Sequence, residues 1–89
     1  MARYERIEDA NILSGGTTDA EVLFNMGMMY ATGRSVETDL VAAHKWFNLA
    51  AVRGHGQAAG LRQEISREMS TDDIAEALRS AREWLATVH

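Results

Sequence analysis

Residues 19–55 read DAEVLFNMGMMYATGRSVETDLVAAHKWFNLAAVRGH, and their spacing decides the fold. After Asp19, the residues Val22, Leu23, Met26 and Tyr30 recur at three- and four-residue intervals. That is the repeat of an α-helix and not the two-residue alternation of a strand. Asp19 stands where a side-chain oxygen can satisfy the free amides of a first turn, so a helix over about 20–31 is predicted. Phe24, Met28 and Ala31 fall on its other side and make it apolar almost all round. Such a helix is normally covered on both sides. Gly33 supplies the backbone freedom of a tight turn, and Asp39 restarts the chain as a second helix to about Arg53. Its stripe is Leu40, Ala43, Trp46, Phe47, Ala50 and Ala51, with Lys45, Asn48 and Val52 opposite. Gly54 follows where a left-handed residue ends a helix. Two helices joined by so short a turn are expected to be antiparallel neighbours.

Outward from this stretch the same logic gives a second pair. Ala58, Leu61, Ile65 and Met69 make a narrow stripe over about 57–68, weakened by Gly56 and Gly60, each costing about 1 kcal/mol against Ala inside a helix. Ser70 followed by Asp73 resembles a capping box and opens a helix over about 71–86. Ile74, Ala77, Leu78, Ala81, Trp84 and Leu85 form its stripe. Asp72, Asp73 and Glu76 near its start and Arg79 and Arg82 later complement the helix dipole. The opening segment, Tyr4 to Leu13, has helix-forming composition without a clean stripe and is a possible extra N-terminal helix. No alternating β-branched run is long enough for a pair of strands. The expected class is all-α: two helical hairpins in series at a period of about 35 residues, the pattern of an α-solenoid.

Several residues carry a resemblance. Phe24-Asn25-Met26-Gly27, Met28-Met29-Tyr30, Gly33-Arg34-Ser35-Val36, Asp39, Ala43, Trp46-Phe47, Ala50-Ala51 and Gly54-His55 stand at matching spacing. On these, the segment from Asp19 to His55 resembles a Sel-one-like repeat, a relative of the tetratricopeptide repeats. Val22 stands where that family usually has Ala, and Ser35 where it usually has a second Gly. The resemblance implies a short right-handed α-solenoid and one domain over residues 1–89. Within it, residues 1–18 are an N-terminal segment, 19–55 the repeat, and 56–89 a degenerate capping hairpin. It also implies that the first helix of the repeat lines a ligand groove. Phe24, Asn25 and Met28 would form that groove, with Asn25 able to bond an extended peptide backbone. Gly27, Tyr30, Gly33, Asp39, Ala43, Trp46, Phe47, Ala50 and Gly54 are then the structural positions of the motif.

Composition narrows the function. The 89 residues contain no Cys and no Pro, and nine Lys or Arg stand against thirteen Asp or Glu, a net charge of −4. Without Cys there is no disulfide framework, thiolate metal site or cysteine nucleophile. The acidic balance opposes nucleic-acid binding, which runs on clustered basic residues. No run approaches the ~18 apolar residues of a membrane span, and Met1 opens a charged stretch without the apolar core of a secretory signal. A cytoplasmic location is expected. His44, His55 and His89 share no metal-ligand spacing, and His55 reads as a turn residue bonding nearby backbone. Ser14, Ser35, Ser66, Ser70 and Ser80 all fit turn, cap or exposed helix positions, and Gly15-Gly16 lacks the Lys of a phosphate loop. No catalytic residue, metal or cofactor is therefore assigned.

The expected function is a non-enzymatic adaptor that binds a protein or peptide through the first hairpin. The alternative is a self-associating module, since solenoids need about three repeats for stability and a homodimer would supply the missing neighbour.

Overall fold

The computed structural model describes residues 19–87, and these form four α-helices: α1 Ala20–Thr32, α2 Leu40–Val52, α3 Ala58–Ser66 and α4 Thr71–Thr87. The candidate helix from Tyr4 to Leu13, and His89, lie outside the described residues.

Local chemistry sets the boundaries. Asp19 is extended, and its Oδ1 accepts the Glu21 amide at 2.9 Å, which satisfies one of the free donors of the first turn. At the other end Gly33 adopts φ 77°, and the amides of Gly33 and Arg34 both donate to the Met29 carbonyl, at 2.8 and 3.2 Å. The connection then closes on α1 through Asp39 N–H donating to Tyr30 O at 3.0 Å. Asp39 in turn caps α2, its Oδ1 accepting the Ala42 amide at 3.1 Å. The end of α2 is a Schellman motif: His55 N–H reaches Ala50 O at 2.9 Å, Gly54 N–H reaches Ala51 O at 3.0 Å, and Gly54 has φ 97°. Ser70 Oγ accepts the Asp73 amide at 3.0 Å and so starts α4. The third helix is shorter than the spacing predicts. After Ser66 the amides of Arg67, Glu68 and Met69 bond three residues back, not four, so the chain tightens into the turn before α4.

Packing is organised around α2, whose chief neighbours are α1, α3 and α4. The second hairpin differs from the expected antiparallel pair: α3 and α4 each make their main contacts with α2 and few with each other. The adjacent rings Trp46 and Phe47 divide this work. Successive helical residues point about 100° apart, so one ring serves each of two neighbours. Phe47 faces α1, where a Cβ built on Gly27 would lie only 2.5 Å from Phe47 Cδ1. Trp46 meets Trp84 of α4 edge-on, centroids 5.7 Å apart. Leu23, Ala43, Phe47, Leu49, Ala50 and Ala58 are essentially sealed from solvent.

Four positions depart from the predicted stripes. Leu49 and His44, left off the α2 stripe, are buried because helices pack on more than one side of α2. Val22, assigned to the α1 stripe, is 38% exposed, because α1 packs chiefly on α2. Leu78, assigned to the α4 stripe, is 37% exposed.

Candidate partner-binding face

Phe24, Asn25 and Met28 all belong to α1, and the fold separates them. Phe24 and Met28 lie one turn apart on one side of the helix, half-buried and packed against the core. Asn25 is exposed. Its neighbours one turn away on the same ridge are Val22 and Met29, the first exposed and the second half-buried.

The covering of Phe24 comes from the turn after α2. The His55 imidazole lies on the Phe24 ring at a centroid distance of 3.9 Å, 8° from parallel, and Phe47 meets the same ring at 5.6 Å and 46°. Two further bonds fix the His55 ring. Its Nδ1 accepts the Gln57 amide at 3.2 Å, so the neutral ring carries its proton on Nε2, which donates to Glu21 Oε1 at 3.1 Å. The expectation that His55 is a turn residue bonding nearby backbone is met by the Gln57 contact. One side chain thus ties the first turn of α1, the end of α2 and the start of α3. With both nitrogens engaged, His55 is a clamp and offers no free lone pair to a substrate or metal.

A buried polar group on α2 was missed by the sequence reading. His44 is 3% exposed, and its Nδ1 has no hydrogen-bond partner among the described residues. Burial is the main cause holding its pKa below the usual imidazole value, and the positive Arg62 adds to it. Arg62 reaches from α3 and donates through Nη1 to Asn48 Oδ1, one turn along α2 from His44. The signal in the sequence was the composition of α2: Val41, Ala42, Leu49 and Val52 add apolar residues outside the main stripe, as befits a central helix. Lys45 stands over the Trp46 ring, its Nζ 4.5 Å from the centroid, a cation–π placement.

Among the described residues no group of three or more His, Cys, Asp or Glu is placed to hold a metal ion, and no helix is long and apolar enough to cross a membrane. No family model, curated protein or solved structure matches the chain. The reading of function therefore rests on the α1 face itself.

Proposed function

We propose that the chain is a non-enzymatic binding module of the short-solenoid kind, which engages a peptide or protein partner along α1. The observation that carries this reading is the state of Asn25: an exposed amide in the middle of a helix with a single charged residue, Glu21. An amide offers both donors and an acceptor, and can therefore pair with the backbone of an extended segment. The apolar flank comes from Val22 and Met29, and Met28 adds an adaptable thioether at the edge. Phe24, on the neighbouring side of α1, is held by His55 and Phe47. Capture of a partner by the full chain, followed by titration against Asn25→Ala and Met28→Glu, tests the reading. Loss of about tenfold in affinity is expected from Asn25→Ala, the worth of one lost net hydrogen bond. Unchanged affinity in both variants would overturn it.

A second reading, self-association, is favoured by a different observation. Val52, 60% exposed, and Val22, 38% exposed, lie at the end of the α1–α2 pair that the Glu21–His55 contact closes. A second copy covering this end would complete the core. Light scattering across a dilution series distinguishes it, since a chain that stays folded and monomeric when dilute excludes an obligate dimer.

A further inference from the structure

His44 has no part in the binding face, yet it is the one buried polar side chain of the described core. Its position gives a conformational device. The ring sits in α2 with an unsatisfied Nδ1, and protonation would turn that nitrogen into a charged donor without an acceptor, in surroundings that exclude water. The charges around it give no relief. From α3 the neighbouring charge is Arg62, of the same sign, anchored on Asn48, while Glu64 is exposed. From α1 the carboxylate of Glu21 is turned to His55. The charged side chains of α4, from Asp72 to Glu83, are all exposed, and on α2 itself Lys45 is a further cation. Among the described residues no carboxylate lies within 4.0 Å of the His44 ring in an ion pair.

The element best able to yield is α3. It has nine residues, its N-cap Gln57 contributes no side-chain bond, and Ala58 is its single fully buried residue. Gly60 stands inside it, a position that costs helix stability. Its chief contact is with α2, on which its Arg62 bonds Asn48. We propose that the α2–α3 contact is an acid-operated latch: a proton taken up by His44 releases α3 from α2 while α1, α2 and α4 remain packed.

Amide hydrogen exchange of the full chain, corrected for the intrinsic pH dependence of exchange, tests the latch between about pH 7.5 and about pH 5, the range in which imidazole titrates. Below ~6.5 the protection of α3 amides is expected to fall by up to about tenfold per pH unit, the limit for one proton. The amides of α1, α2 and α4 keep theirs. His44→Gln, neutral throughout, is expected to hold α3 protection level. Arg62→Met, which removes the like charge and keeps the stem, should make the pH-dependent loss smaller over the same range, because it brings the pKa of packed His44 closer to its ordinary value, and it serves if the Gln variant does not fold. Protection of α3 that ignores pH, an identical fall in His44→Gln, or a simultaneous loss in α1, α2 or α4 would overturn the proposal.

Discussion

The imidazole of His55 lies flat on the phenyl ring of Phe24, 8° from parallel at 3.9 Å between centroids. This stack joins the end of α2 to the first turns of α1. With the Glu21 and Gln57 bonds it makes His55 the fastener of the first hairpin. His55→Ala should destabilise the chain by about 1–2 kcal/mol, an aromatic pair worth roughly 0.5–1.5 plus a backbone bond, with little from the exposed Glu21. Urea denaturation measures it. Glu21→Ala alone is expected to cost less than about 1 kcal/mol.

Gly27 is required by contact with Phe47 and not by a turn. A methyl group there would meet the Phe47 ring at 2.5 Å, and Phe47 is 1% exposed, with no room to withdraw. Gly27→Ala is expected to destabilise by about 1–3 kcal/mol despite the better helix propensity of Ala. Adding Phe47→Leu should make the double variant less unstable than the sum of the singles, since the two sites share one space. Additive losses by the same denaturation assay would show that the helices are not in this contact.

Two turn positions respond in opposite ways to glycine and alanine. Ser35 holds φ 71°, a left-handed conformation that strains a residue with a Cβ. Ser35→Gly is expected to stabilise by up to about 1 kcal/mol, reduced by the added freedom of the unfolded chain. Gly33→Ala should lose more than about 1 kcal/mol, because it combines φ 77° with a Cβ position 2.5 Å from Thr38 Oγ1. Thermal melts of both variants check the signs.

Burial and Arg62 lower the pKa of His44 in the folded chain. Below the ordinary imidazole value of ~6.5 the unfolded chain therefore binds more protons than the folded one. The contribution of His44 to stability is fully present above that value and is lost as pH falls through the window beneath it. The unfolding free energy of the natural chain, measured in urea, should fall relative to that of His44→Gln in this window, with a limiting slope of about 1.4 kcal/mol per pH unit. A constant difference between the two proteins from pH ~7.5 to ~5 would contradict the assignment.

Helix limits were legible because their causes are local. Asp19, Gly33, Asp39, Gly54 and Ser70 act on amides or carbonyls within a few residues, and each is found in the cap or turn that its chemistry predicts. The partners of each helix were less legible. Trp46 and Phe47 read as one stripe, yet they face different helices, and α2 buries His44 and Leu49 because it has three neighbours. A stripe marks which side is apolar and leaves the number of covering elements open. The candidate face shows the same limit. Phe24, Asn25 and Met28 are close in sequence, but the ring that covers Phe24 comes from His55, a long-range contact that helical spacing cannot reveal.

The claim that α1 presents a binding face is tested most directly by photo-crosslinking, with a reactive side chain placed at position 25 and, as control, at position 76 on exposed α4. A discrete adduct with a separate protein or peptide is expected from position 25, absent from position 76 and competed by the unmodified chain. Equal labelling from both positions, or an adduct at position 25 made only of a second copy of this chain, would contradict it.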